Sequence, residues 1–164
     1  GTYPLPEAQL DRFLFKIQID YPTEEQELTL VKQVTTAKVG ECLDVSAIEP
    51  VVEADEVLRL QQLVAQIHVD ERIYDYAINM THHTRSWPGI TVGAGPRGSI
   101  ALIRAARAAA LIAQRDFVIP DDVKTVALAT LRHRISLAPE LEIEGRDVDS
   151  VLTGILEKIA APRT

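Results

Sequence analysis

One run of the sequence alternates apolar and polar side chains as a β-strand does, and it limits the fold more than any other feature. Residues 13–20 read FLFKIQID, in which Phe13, Phe15, Ile17 and Ile19 form one apolar face. A strand needs neighbouring strands to satisfy its backbone hydrogen bonds and is not stable alone. No other segment has a convincing strand pattern. We therefore expect a mainly α-helical chain whose one strand belongs to a sheet formed by residues outside it.

The rest of the sequence has the apolar spacing of helices. Thr23 and Gln26 fit a capping box, Asp70 can cap another helix, and the Trp-Pro-Gly sequence at residues 87–89 is typical of a helix end. The spacing predicts a short helix between Pro6 and Arg12 and longer helices over residues 23–36, 54–67, 71–86, 97–115, 120–134 and 148–160.

Residues 37–53 have neither the apolar spacing of a helix nor the alternation of a strand, and Gly40 and Pro50 are residues that can interrupt regular secondary structure. We place a domain boundary in this segment. Residues 1–40 would then be the end of one domain, with a short helix, the strand and a helix. Residues 41–164 would form a helical bundle.

Composition excludes several classes of protein. The chain carries 17 Lys and Arg against 24 Asp and Glu, a net charge of −7, which argues against a nucleic-acid binder such as a helix-turn-helix protein. Cys42 is the only cysteine, so neither a disulfide nor a cysteine-based zinc site can form within one chain, and a cytoplasmic location is expected. No apolar run approaches the roughly 20 residues that span a membrane, and no signal peptide is expected.

The sequence GAGPRG at residues 93–98 stands before an alanine-rich helical segment. It lacks the lysine of a phosphate-binding P-loop. Pro96 fits the first helical position, which puts Arg97 in the first turn, where a cation has the wrong sign for the helix dipole by about 0.3–1 kcal/mol. Gly98 costs about 1 kcal/mol relative to alanine. An anion bound at Arg97 would reverse the first penalty, with Gly98 allowing close approach; an arginine that faces solvent or pairs with a carboxylate is the equal alternative.

Other polar clusters have structural explanations. His82 and His83 point about 100° apart on a helix and have no carboxylate at matching spacing, so no metal site is expected. Arg104, Arg107 and Arg115 lie along one side of the long helix, where solvation or ion pairing is favoured over contact with a neighbouring molecule. Asp121 and Asp122 fit the start of a helix.

Three blocks of the sequence resemble successive blocks of a MoxR-type AAA+ ATPase. They are GTYPLPEAQLDRFLFK, GAGPRGSIALIRAARAAAL and FVIPDDVKTVALATLRHRI, and they occur in the family's order. The resemblance covers essentially the whole chain. It implies that residues 1–40 end the αβα nucleotide-binding core and that residues 41–164 are its helical lid. The P-loop, the acidic Mg²⁺ motif and the sensor asparagine would lie upstream, so this chain alone is not expected to hydrolyse ATP.

The resemblance also implies roles for particular residues. Arg97, with Pro96 and Gly98 beside it, would be sensor 2, the lid arginine that reaches the γ-phosphate of ATP on its own core domain. Arg12 would be an arginine finger that acts on the neighbouring subunit of a ring, usually a hexamer; the residues alone favour a structural role for Arg12. ATP and Mg²⁺ would bind the whole protein, not this chain tightly, and the work would be remodelling of a client protein or insertion of a metal cofactor. The alternative is a non-enzymatic, all-helical interaction module.

Overall fold

A computed structural model describes residue 3 and residues 5–36 and 48–162. Helices dominate these residues, which confirms the predicted fold class. They are α1 (Glu7–Leu10), α2 (Glu24–Thr35), α3 (Ala54–Gln66), α4 (Glu71–Ser86), α5 (Pro96–Ile112), α6 (Pro120–Leu131), α7 (Pro139–Ile143) and α8 (Val148–Lys158), with two short strands, β1 (Ile90–Val92) and β2 (Ser136–Leu137). None of the described helices combines the length and apolar character needed to cross a membrane.

The helix starts follow the local signals of the sequence. Thr23 and Gln26 form the predicted capping box, with the Gln26 N–H donating to Thr23 Oγ1 at 3.3 Å and the Thr23 N–H donating to Gln26 Oε1 at 3.0 Å. Asp70 caps α4 by accepting from the N–H of Arg72 at 3.0 Å. The Arg72 side chain also donates to Asp70 and lowers the pKa of that carboxyl to about 2. These contacts lie within a few residues, which explains why sequence alone locates them.

The chain divides into two compact units. One comprises the described residues of Gly1–Lys16 and Leu58–Thr164, and the other comprises those of Ile17–Val57. The predicted domain boundary near residue 40 lies outside the described residues, as does Cys42. The division at residues 40 and 41 therefore stays a prediction.

The core of the larger unit lies between α4, α5, α6 and α8. Met80, Leu102, Leu131, Leu152 and Ile155 are almost completely buried there. The alanines of α5 at positions 101, 105, 106 and 110 are buried too, and these small side chains allow neighbouring helices to approach α5 closely. On α4, Ile73, Ala77 and Met80 are buried, whereas Ile78, which the apolar spacing also predicts to point inward, is 43% exposed.

The predicted strand at residues 13–20 is absent, and the strands that do form were not predicted. Residues 15–20 have no regular secondary structure, and the phenylalanines and isoleucines of the alternating face are exposed. In the larger unit, the Phe13 and Leu14 carbonyls accept from side chains, and the Lys16 N–H donates to the Ala129 carbonyl at 2.9 Å, so this backbone is satisfied without a sheet. The strands β1 and β2 pair antiparallel but have three and two residues, too few to show a period.

An ion pair joins the end of α5 to the start of α6. Arg115 donates through both terminal nitrogens to the Asp122 carboxylate, which is 8% exposed, and the N–H of Ile119 donates to the same carboxylate at 2.8 Å. These hydrogen bonds raise the pKa of Arg115. The expected role of Asp122 at the helix start and the favoured ion pairing of Arg115 are both confirmed.

Replacement of Asp122 by alanine should therefore destabilise this unit by about 2 kcal/mol, since it removes a helix cap and leaves the partly buried Arg115 unpaired. Its neighbour Asp121 is exposed and offers a matched control. Asp121→Ala should cost less than about 1 kcal/mol, the size of a dipole effect. Urea unfolding followed by circular dichroism measures both, and equal losses would contradict this account of Asp122.

Candidate functional site

The turn before α5 is fastened to the end of α4. The N–H of Ala94 donates to Thr84 Oγ1 at 2.9 Å, and Arg85 Nε donates to the Ala94 carbonyl at 2.7 Å. Thr84 and Ala94 are fully buried. A Cβ on Gly93 would lie 2.7 Å from backbone atoms of Thr84 and Arg85, so only glycine fits there. The GAGPRG turn is thus held in one position relative to α4.

The start of α5 has the predicted arrangement, with Gly95 as N-cap and Pro96 in the first turn. Pro96 is exposed, whereas Gly98 is buried. A Cβ on Gly98 would lie 3.2–3.3 Å from side-chain atoms of Ala94, Leu131 and Thr81. Helix packing therefore accounts for this glycine, and its contact with a ligand stays a prediction, as does that of Pro96.

Arg97 projects from the first turn of α5 and is 59% exposed. Its Nε lies 3.7 Å from Asp11 Oδ2, an ion-pair distance that is too long for a hydrogen bond. Pairing with a carboxylate, one of the two explanations left open by the sequence, therefore occurs in this structure. Exposed pairs of this kind are worth at most about 1 kcal/mol, so an incoming anion can replace Asp11 at low cost.

Residues 11–14, which we call the Asp11–Leu14 turn, follow α1 and carry Arg12. Arg134 holds this turn with a side chain that is only 3% exposed. Its Nε donates to Asp11 Oδ1 at 3.0 Å, and its terminal nitrogens donate to the carbonyls of Asp11, Phe13 and Leu14 at 3.1, 2.6 and 3.4 Å. Burial lowers the pKa of Arg134, although Asp11 opposes that shift.

His133 adds a second contact to the same turn. Its Nε2 lies 3.0 Å from the Phe13 carbonyl, which can only accept, so Nε2 carries the proton. Its Nδ1 is buried and has no hydrogen-bond partner in the described part of the chain. Burial lowers the pKa of His133, and the nearby charges of Arg134 and Lys16 act in the same direction, while the Phe13 carbonyl and Asp11 oppose them.

The Asp11–Leu14 turn and the first two turns of α5 enclose one cavity of about 340 Å³. Arginine dominates its charge, because Asp11 is the one acidic residue among the lining side chains. The lining residues are Asp11, Arg12, Phe13, Leu14, Arg97, Ile100, Ala101, Arg104 and Arg134. The structure thus brings together Arg12 and Arg97, the two arginines singled out by the sequence, and adds Arg104 and Arg134.

The free cations of this cavity are Arg12 and Arg104. Both are exposed, and their side chains take part in none of the hydrogen bonds or ion pairs found among residues 5–36 and 48–162. The cavity offers guanidinium groups and few carboxylates, so its chemistry fits an anion such as a phosphate group. Within the same residues, no group of three or more His, Cys, Asp or Glu side chains is arranged to hold a metal ion.

Sequence reasoning missed Asp11, His133 and Arg134. The Arg-His-Arg run at residues 132–134 follows the end of α6, where basic residues are ordinarily explained by the helix dipole. Its partners lie about 120 residues earlier in the chain, and one sequence contains no signal for a pairing over that distance.

The sequence of this chain is similar to those of several known proteins. Residues 82–155 match the AAA lid domain family. The uncharacterized protein YeaC of Bacillus subtilis is 41% identical over 162 residues, which are 99% of this chain and 49% of that protein. Chaperone MoxR1 of Mycobacterium tuberculosis is 35% identical over 176 residues, covering 99% of this chain and 44% of that protein. The chain resembles the C-terminal part of MoxR-type AAA+ proteins over essentially its whole length.

A solved structure supports the same assignment. The crystal structure of a protein from Cytophaga hutchinsonii, described as an ATPase, superimposes with a TM-score of 0.85 at 32% sequence identity, covering 99% of this chain and 51% of that one. The resemblance to the C-terminal part of a MoxR-type AAA+ ATPase and the expected helical lid are confirmed. The chain spans about half the length of the curated relatives it matches.

The lowered pKa of His133 predicts a pH dependence of folding. Between the folded pKa and the ordinary value of 6.5, the unfolded chain binds a proton that the folded chain does not, so stability is lost as pH falls through this window. His133→Gln keeps a donor for the Phe13 carbonyl but cannot titrate, and should therefore lose less stability on acidification. Urea unfolding of both proteins from about pH 8 to about pH 5 measures this difference.

His82 is exposed and serves as the control, since His82→Gln should leave the pH dependence of the parent chain unchanged. Identical pH profiles for the parent and His133→Gln would show that His133 is not the group responsible.

Proposed function

We propose that this MoxR-type lid senses the terminal phosphate of ATP in a ring-shaped AAA+ ATPase, through Arg97 as sensor 2 and Arg12 as arginine finger. The observation that carries the proposal is the shared cavity, in which both arginines lie with Arg104 and Arg134 on an otherwise acidic chain. The family resemblance supports nucleotide and Mg²⁺ in the whole protein.

The position of Arg97 suits a phosphate group. It lies in the first turn of a 17-residue helix, where free backbone N–H groups and the helix dipole favour negative charge. The guanidinium alone is unfavourable there, and a bound phosphate makes the helix end and the guanidinium act together. Asp11 provides a weaker substitute for that phosphate when Arg97 has no other anion to contact.

Arg12 would supply transition-state charge. In phosphoryl transfer an arginine finger neutralises the charge on the transferring group and is worth about 10³–10⁵ in rate. The Arg12 side chain is exposed on a turn whose backbone carbonyls are held on both sides of it. A fixed backbone with a free guanidinium suits a group that must reach outward to a ligand on another subunit.

The shared cavity favours one nucleotide for both arginines. The family resemblance implies that Arg97 acts on the nucleotide of its own core domain and Arg12 on that of a neighbour. Side chains that line one cavity are more simply satisfied by one phosphate group, so we propose that Arg97 acts with Arg12 on the nucleotide of the neighbouring subunit.

The work of the whole protein would be remodelling of a client protein. The relative MoxR1 is named a chaperone, and the chain shares 35% of its residues over the aligned region. Loss of the terminal phosphate would release Arg12 and Arg97 and allow the lid to move, as in other phosphate-controlled switches. A hexameric ring, a cytoplasmic location and metal-cofactor insertion belong to this proposal as expectations from the family.

ATP turnover by the full-length protein tests these roles. Arg97→Ala should lower turnover about 10-fold or more, and Arg12→Ala about 10³-fold or more, since each removes charge that stabilises the transition state. Arg146→Ala is the control, because Arg146 is an exposed arginine outside the cavity lining. With circular dichroism unchanged, wild-type turnover in Arg97→Ala and Arg12→Ala would refute the proposal.

A further inference from the structure

The Asp11–Leu14 turn is held by side chains from the end of α6 in a way that ordinary loop packing does not require. Arg132, His133 and Arg134 are consecutive, and each contacts a backbone carbonyl of residues 11–16. Arg134 contacts the carbonyls of Asp11 and Phe13, the residues on both sides of Arg12, and that of Leu14. The backbone on each side of Arg12 is therefore fixed to the lid.

Arg134 also joins the two proposed phosphate-binding arginines. Asp11 accepts from Arg134 at 3.0 Å with one carboxylate oxygen, and its other oxygen lies 3.7 Å from Arg97. Asp11 precedes Arg12 directly in the sequence. A chain of contacts thus runs from Arg134 through Asp11 to Arg97, with Arg12 carried beside Asp11.

Stability alone is a poor explanation for this arrangement. The Arg134 side chain is 3% exposed, and all three of its guanidinium nitrogens donate to acceptors, which include the Thr130 carbonyl of α6. These hydrogen bonds offset the cost of burying the charge and leave little net stabilisation compared with an apolar side chain. The pKa of Arg134 is lowered by burial in spite of the nearby carboxylate, so the environment disfavours the charged form. An apolar side chain would pack here without burying a charge, but it could not donate to the carbonyls of Asp11, Phe13, Leu14 and Thr130 and to the Asp11 carboxylate.

We propose that Arg134, with Asp11 as its partner, is a positioning residue that fixes the direction of the Arg12 finger relative to Arg97. The proposal rests on the proposed function, because it assigns Arg134 an effect on catalysis that passes through Arg12. A finger misplaced by about 1 Å can lose about 100-fold in rate. The Arg134 side chain is 3% exposed and each of its guanidinium nitrogens already donates within the chain, so we expect ATP binding not to depend on it.

Two variants of the full-length ATPase test this role. Arg134→Lys keeps the charge but replaces the planar set of donors by a single ammonium group, and Asp11→Asn removes the charge that orients Arg134. Each should lower kcat by about 100-fold with KM for ATP unchanged, since the lost interaction matters in the transition state. Asp149→Asn is the matched control. It breaks the ion pair of the neighbouring Arg132 without touching the Asp11–Leu14 turn, and it should leave kcat unchanged.

The deciding comparison repeats both variants in an Arg12→Ala background, in single-turnover reactions at high enzyme concentration so that slow rates remain measurable. If Arg134 acts through Arg12, Arg134→Lys and Asp11→Asn cause no further loss there. An equal fold-loss with and without Arg12 would overturn the proposal and show a general structural role. Unchanged turnover in Arg12→Ala alone would instead refute the proposed function, and so the two failures are distinguishable. Thermal unfolding checks that each variant folds. If Arg134→Lys does not fold, Asp11→Asn still provides the test.

Discussion

The buried guanidinium of Arg134 is the interaction on which the candidate site depends. Arg134 donates to the carbonyls of Phe13 and Leu14, which a neighbouring strand would contact if these residues lay in a sheet. It also brings residues 11–14 against a part of the chain about 120 residues later. Loss of one partner of a buried ion pair typically costs about 3–5 kcal/mol, and the 32% exposure of Asp11 places this pair below that range.

Positive charge is concentrated at this site. The whole chain has a net charge of −7, yet the cavity beside α5 is lined by four arginines and one aspartate. Two of them, Arg12 and Arg104, face solvent, and Arg97 has a weak partner in Asp11. Solvent-facing cations that converge on one cavity are typical of a surface that meets an anion.

Much of the fold could be predicted from the sequence because its causes are local. The capping box at Thr23 and the cap at Asp70 depend on residues two or three positions apart, and the apolar period locates the long helices. The strand expected at residues 13–20 does not form here, because the prediction assigned its neighbouring strands to residues outside this chain. The short pairing of Ile90 with Leu137 was missed because both strands are too short to show alternation.

The residues of the candidate site also fall into two groups, those that the sequence could identify and those that only the structure reveals. Arg97 was identifiable because a cation in the first turn of a helix violates a local rule, and Arg12 was identifiable only through the family resemblance. Asp11 and Arg134 obey every local rule, and their contact appears only in three dimensions. Gly98 violates a local rule too, but its neighbours Thr81 and Leu131 show that helix packing is a sufficient cause.

The central claim is that Arg12 and Arg97 of one subunit act together on one nucleotide. Co-expression of Arg12→Ala subunits with Arg97→Ala subunits, followed by ATP turnover of the mixed rings, tests it most directly. If both arginines serve the neighbour's nucleotide, every site in a mixed ring lacks one of them, and turnover stays at the level of the single variants. If Arg97 serves its own subunit, intact sites form wherever the two kinds of subunit meet in the right order. Recovery of turnover in mixed rings would therefore contradict the account.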